Sequence, residues 1–135
     1  MKLQPVEAST PQEIANGFAM MVRQNAGAFI VSRDPPNQQQ KSQIVGLAAK
    51  HRLPSIGMYG EYVEAGGLMS YGQNVRENFS HAATYVDRIL KGANPGDLPV
   101  EQPTQFELFI NLKTAKALGI KVPQSLLLQA TKVIE

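Results

Sequence analysis

The chain has 135 residues, 43% hydrophobic and 18% charged, with a formal net charge of +2. That suits one soluble globular domain burying roughly 65–70% of its unfolded surface, and no apolar run approaches the ~18 residues of a membrane span. The absence of cysteine excludes disulfides, thiolate catalysis and zinc–thiolate sites.

In chain order, residues 2–8 read as a first strand carrying Leu3 and Val6. They also lack the apolar stretch of a signal peptide, so secretion is not expected to be encoded in the chain as given. Thr10-Pro-Gln-Glu13 offers a cap hydroxyl, a proline at the first helical position and a glutamate for a capping box. Ile14, Phe18, Met21 and Val22 then give one apolar helical stripe, stopped at Asn25-Ala-Gly27. Ala28-Phe-Ile-Val31 has the continuous apolar character of a strand buried on both faces. It ends at Ser32-Arg-Asp-Pro-Pro-Asn37, whose prolines stop the sheet, and Asn37 is expected to cap a helix bearing Ile44, Leu47, Ala48 and His51.

Leu53–Met58 is the next expected strand, followed by Glu61-Tyr-Val-Glu-Ala-Gly-Gly-Leu-Met-Ser-Tyr-Gly-Gln-Asn74. Here an acidic-aromatic turn runs into Gly66-Gly67, Leu68–Tyr71 forms a short strand, Gly72 breaks it and Asn74 caps a long helix. Phe79, Ala82, Ala83, Val86 and Ile89 make that helix's stripe, with Lys91 in its last turn and Gly92 at its end. Residues 93–104, with Pro95, Pro99 and Pro103, form an extended connector. A strand over 105–110, a helix over 111–118 closed by Gly119, and a terminal helix after Pro123 complete the chain. Strands this far apart alternate with helices, which predicts an α/β fold with a mainly parallel sheet covered by helices on both faces. The expected organisation is a core over 2–72, a crossover helix over 73–92, the connector over 93–104, and a return strand with terminal helices over 105–135.

Asp34 follows the buried strand, where open α/β sheets bind ligands, although an aspartate before Pro35 also stabilises a turn. Tyr59 and Tyr71 end the next two strands and suit stacking on an organic ligand as well as packing over the sheet end. Glu61 and Glu64 fall on one helical turn, as a solvated face or as a paired acid–base set. His51 and His81 have no metal-ligand partner at useful spacing, and neither a nucleophile elbow nor a phosphate loop is present. No metal, cofactor or catalytic constellation is expected. The basic residues are scattered, with Lys50-His51-Arg52 at a helix end as the densest spot, which argues against nucleic acid as a partner.

Several long stretches nevertheless carry a family likeness: Val63-Glu-Ala-Gly-Gly-Leu-Met-Ser-Tyr-Gly72, Tyr85-Val-Asp-Arg-Ile-Leu-Lys-Gly92, Asp97-Leu-Pro-Val-Glu-Gln-Pro-Thr104 and Phe106-Glu-Leu-Phe-Ile-Asn-Leu-Lys-Thr-Ala-Lys-Ala-Leu-Gly119. From about residue 10 onward the chain resembles the carboxyl-terminal half of ABC-transporter substrate-binding proteins related to the tryptophan-binding lipoproteins, which have the type I periplasmic-binding-protein fold. The resemblance implies a non-enzymatic, periplasmic, two-lobed receptor that closes on a small organic ligand such as an amino acid and hands it to a membrane permease. It places here most of the second lobe, without that lobe's first strand and helix. Leu68–Gly72 and Leu98–Thr104 become crossings between lobes, and the helix over 74–91 lies on the first lobe. Asp34, Tyr59, Glu64, Gly66, Tyr71 and Asn74 fall at its ligand-binding cleft positions. Ile56-Gly-Met-Tyr-Gly60 departs from the aromatic or proline-rich stretch of relatives.

Without the first lobe, the Phe79–Val86–Ile89 stripe is expected to be exposed and to draw two copies into a homodimer, with this helix as the exchanged element. Two other readings are a self-associating interaction module with no transport role and a flavodoxin-like enzyme using Asp34 and Glu64.

Overall fold

The computed structural model describes residues 2–135. Its elements are α1 (Pro11–Arg23), β1 (Phe29–Ile30), α2 (Pro35–Gln39), α3 (Lys41–His51), β2 (Ser55–Gly57), α4 (Gly60–Glu64), β3 (Met69–Gln73), α5 (Val75–Leu90), β4 (Phe106–Asn111), α6 (Leu112–Leu118), α7 (Gln124–Leu127) and β5 (Lys132–Ile134). The five strands form one sheet in chain order. β1, β2 and β3 pair in parallel, as do β4 and β5. Where β3 begins, Leu68 accepts from the N–H of Asn111 at the end of β4, so β4 runs antiparallel to β3. The fold is thus α/β with a mainly parallel sheet flanked by helices, as the alternation of patterns predicts.

Two units divide the chain: residues 1–72 with 107–135, and residues 73–106. In the first, α1 is set by a full capping box. Thr10 accepts from the Glu13 N–H, and the Glu13 carboxylate accepts from the N–H groups of Ser9 (2.8 Å) and Thr10 (3.0 Å). Its stripe buries Ile14 and Phe18, whose ring meets Phe29 edge-on and lies against His51 of α3. Val31, Ile44, Ala48, Leu53, Tyr59, Tyr62 and Val63 complete that core.

Tyr62 is the centre of the stretch that the sequence marks out. Its ring is fully buried, and its hydroxyl donates to Ser55 Oγ at 2.7 Å. Burial pushes its pKa up to about 12, against a smaller lowering by the Ser55 hydrogen bond. A Cβ on Gly57 would lie 2.6 Å from the Tyr62 ring, and one on Gly67 would strike the same ring. The glycines thus admit Tyr62.

Several sequence expectations are corrected. Residues 2–8 form no strand: Pro5 lacks the N–H a ladder needs, and Val6 instead packs where a Cβ on Gly17 would come within 2.7 Å. The helix expected to start at Asn37 begins at Pro35 with Asp34 as its cap, because prolines suit the first helical positions, and a second helix follows Gln40. Gly72 does not end β3, which continues to Gln73. A Cβ there would strike the carbonyl of Met58, so glycine permits the close approach of the two chains. The terminal helix stops at Leu127, and the chain ends in β5, whose three residues are too few to show a period.

In the second unit, Asn74 caps α5 by accepting from the Glu77 N–H at 3.1 Å. Residues 93–104 run beside α5, with one 3-10 turn over Pro95–Asp97. The Tyr85 hydroxyl donates to the Pro99 carbonyl at 2.7 Å, and His81 Nδ1 lies 3.2 Å from Glu101. No residue of α5 is buried, and Phe79 is 72% exposed. The stripe is open in this structure, as expected.

Two exposed carboxylates link the fold to pH. Glu13 is held below 4.5 by the Ser9 N–H first and then by Thr10, and Glu64 by its hydrogen bond to Lys132 and then by that residue's charge. Depressed folded values mean that each contributes stability above pH 4.5 and loses it as the pH falls through the folded value. Melting temperature is therefore expected to decline below that pH, and less steeply in Glu13→Gln and Glu64→Gln, measured by circular dichroism across pH 3–7.

Candidate ligand-binding site

Because β1, β2 and β3 are parallel, the residues that follow or end them gather along one edge of the sheet. Asp34 and Tyr59 lie there, while Tyr71, expected to end its strand, is the third of the five residues of β3 and comes level with the end of β2, one residue past the Gly57–Ser70 pair. Asp34 is half-buried and heavily committed: Oδ1 accepts from the Asn37 N–H at 2.9 Å, while Oδ2 accepts from Ser32 Oγ at 2.5 Å and Asn37 Nδ2 at 3.0 Å. The turn-stabilising role therefore holds. These donors also fix the carboxylate's orientation.

Tyr59 occupies the cap position of α4 and is only 7% exposed. Its hydroxyl is buried and has no hydrogen-bond partner among the described residues. Burial raises its pKa, with further raising by the negative charges of Asp34 and Glu61 and an opposing effect from Arg33. It is therefore a neutral donor, and a buried hydroxyl without a partner costs about 1–3 kcal/mol. Tyr71 presents a half-exposed ring from β3.

Glu64 and Gly66 are placed elsewhere, near the amino end of β3. Glu64 pairs with Lys132 at 2.7 Å, and that ammonium also sits 5.7 Å from the centre of the Phe109 ring. Gly66 has φ +111°, and its carbonyl accepts from Thr114 Oγ1 at 2.8 Å. Asn74 belongs to the second unit and caps α5. Sequence reasoning missed Ser32 and Asn37 as partners of Asp34. The Ser-x-Asp-x-x-Asn spacing, which lets both side chains reach one carboxylate, was the available signal. Among the described residues, no group of three or more His, Asp or Glu is placed to hold a metal.

A central, mainly parallel sheet flanked by helices is consistent with one lobe of a type I periplasmic binding protein. Residues 1–134 match the family model described as ABC transporter substrate binding protein, and the chain belongs to that family. The family binds solutes and is not one of enzymes.

Among solved structures, the chain is similar to the complex of an ABC domain with L-Trp from Streptococcus pneumoniae, with 27% identity and a TM-score of 0.85 over 97% of this chain and 45% of that one. It is also similar to a conserved domain protein from Vibrio cholerae O1 biovar El Tor, with 25% identity and a TM-score of 0.83 over 93% of this chain and 42% of that one. A ligand-free, open substrate-binding protein with adhesive properties from Clostridium difficile shares the fold at 22% identity, with a TM-score of 0.68 over 94% of this chain and 42% of that one. The chain thus spans less than half the length of these structures. No curated protein shows a significant match.

Proposed function

We propose that this chain is the carboxyl-terminal lobe of a two-lobed solute receptor of an ABC transporter, working outside the cytoplasmic membrane and passing a small organic ligand such as an amino acid to a permease. The observation that carries this reading is the buried Tyr59 hydroxyl, without a partner among the described residues, following β2 and within the field of the Asp34 carboxylate that follows β1. A ligand acceptor would satisfy the hydroxyl, the Asp34 carboxylate would attract an ammonium group, and the Tyr71 ring would stack on an apolar or aromatic side chain. The L-Trp held by the Streptococcus relative supports the same ligand class. Glu64 and Gly66 then shape the turn between β2 and β3, and Asn74 orients the start of α5. A lone lobe supplies part of the contacts, since closure over the ligand draws on the other lobe.

Calorimetric titration with a panel of amino acids and organic acids tests this. Tyr59→Phe is expected to weaken binding about 3–10-fold through one lost hydrogen bond. Asp34→Asn keeps a competent helix cap and is expected to weaken amine-bearing ligands by at least ~10-fold while sparing acids without an amine. Heats unaffected by both variants would move the site away from this edge.

A second reading, a self-associating module in which two copies pair through α5 or exchange it, is favoured by the exposed Phe79, Val86 and Leu90. A ligand-insensitive dimer in sedimentation equilibrium, lost in the Phe79→Ser/Val86→Ser double variant, would establish it. A monomer at high concentration would exclude it.

A further inference from the structure

Two stretches of the chain carry charge of one sign. Residues 35–60 and 108–134 contain no aspartate or glutamate, yet together they hold seven lysines and arginines. The fold sets them side by side. A Cβ on Gly66 would lie 3.0 Å from Val45 Cγ1 of α3, and the Gly66 carbonyl accepts from Thr114 Oγ1 of α6 at 2.8 Å, so one glycine lies between the two helices. At the helix ends the Arg52 guanidinium donates to the Leu118 carbonyl at 3.4 Å. Lys50, Arg52, Lys113, Lys116 and Lys121 are all exposed on these elements. The ion pairs of the described residues take up His81, Lys91 and Lys132 and leave these five without one.

Helix dipoles explain only part of this. Lys50 and Lys116 sit in last turns, where a cation is favourable. Lys41 and Lys113 begin the same two helices, in first turns that hold no acid and where a cation is unfavourable. The charge thus belongs to the face and not to the helix ends. What the face lacks selects its partner. Among the described residues, no large hydrophobic of α3 or α6 is exposed, so the face has none of the apolar or aromatic anchors that centre a protein interface. Neither helix has a Phe, Tyr or Trp on which a nucleic-acid base could stack. Four of the five exposed cations are lysines, compact charges on flexible stems that suit a dense, laterally mobile array of anions.

We propose that the α3–α6 face docks on an anionic phospholipid bilayer, with its lysines against the headgroup phosphates. The proposal draws on residues 41–52 and 112–121 alone and is independent of the ligand reading at the carboxyl edge of the sheet.

Co-sedimentation of the chain with vesicles tests this. Mixed phosphatidylglycerol–phosphatidylcholine vesicles are expected to bind at least ~100-fold more tightly than phosphatidylcholine alone, since each lysine near an anionic surface contributes about fivefold. Raising the salt from ~0.1 M to ~1 M, which shortens the Debye length from ~10 Å to ~3 Å, is expected to release the chain. Lys113→Gln/Lys116→Gln/Lys121→Gln is expected to lose about 100-fold in affinity, and Lys50→Gln/Lys121→Gln about 25-fold, with melting temperatures little changed because all these side chains are exposed. Arg76→Gln/Arg88→Gln/Lys91→Gln removes as much charge from the other unit and is expected to leave binding nearly intact. Equal losses in the two triple variants, binding that persists at ~1 M salt, or equal binding to phosphatidylcholine alone would each overturn the proposal. Tighter binding to polyglutamate or to duplex DNA than to the mixed vesicles would overturn the assignment to lipid.

Discussion

Tyr62→Ala is expected to destabilise the protein by about 3–5 kcal/mol, the range for truncating a large buried aromatic. A typical domain has only about 5–15 kcal/mol to lose, so this variant should sit close to unfolding. The reason is local and complete: the ring is 0% exposed, it fills the space left by Gly57 and Gly67, and its hydroxyl is tied to Ser55. Tyr62→Phe keeps the ring and strands the Ser55 hydroxyl, which should cost about 1–3 kcal/mol. Gly67→Ala supplies the decisive comparison. Its Cβ would strike the Tyr62 ring and come within 2.8 Å of the Tyr62 carbonyl oxygen. In a Tyr62→Ala background the ring clash is gone and only the carbonyl contact remains, so the two substitutions should be clearly less than additive. Urea denaturation of the four proteins measures this, and strict additivity would show that the ring and Gly67 are independent.

Amide exchange along α5 is expected to be at least ~100-fold faster than in β2 and α4, since elements with few buried contacts open at a small fraction of the global cost. α5 buries none of its 16 residues, and an isolated helix of that length is marginal in water. Its cap at Asn74, the Lys91–Asp87 pair at 2.8 Å and the Tyr85–Pro99 hydrogen bond hold it locally, and all three are exposed or half-exposed. Mass-spectrometric exchange resolves the segments. Uniform protection over 75–90 would mean that the helix is covered in solution, and protection that grows with concentration would identify the cover as a second copy.

The helices were the most legible part of the fold. Thr10 with Glu13, and Asn74 with Glu77, announce their helices through short-range hydrogen bonds that need nothing from the rest of the chain. Gly119, with φ +74°, likewise ends its helix by a local rule. Strands were less legible at the margins, because β1 has two residues and β5 three, and such lengths carry no readable period.

The candidate site was half legible. Position after a parallel strand is enough to bring Asp34 and Tyr59 to one edge, and alternation of strand and helix predicted that geometry; Tyr71 lies within β3 because the strand runs on to Gln73. Glu64 and Gly66 do not reach that edge, because α4 carries the chain back toward the amino end of β3.

By itself, then, the sequence determined the helices, the α/β alternation and the edge of the sheet where the ends of the parallel strands collect, since each follows from interactions within a few residues or from strand direction. Only the tertiary structure decided that Gly57 and Gly67 admit a tyrosine ring, that Gly72 admits the Met58 carbonyl, that Asp34 is held by Ser32 and Asn37, and that Tyr59 keeps a hydroxyl without a partner. Most of these depend on which distant atoms are packed against a residue, and the Asp34 cluster on how a loop folds back on itself. Neither propensity nor spacing encodes that.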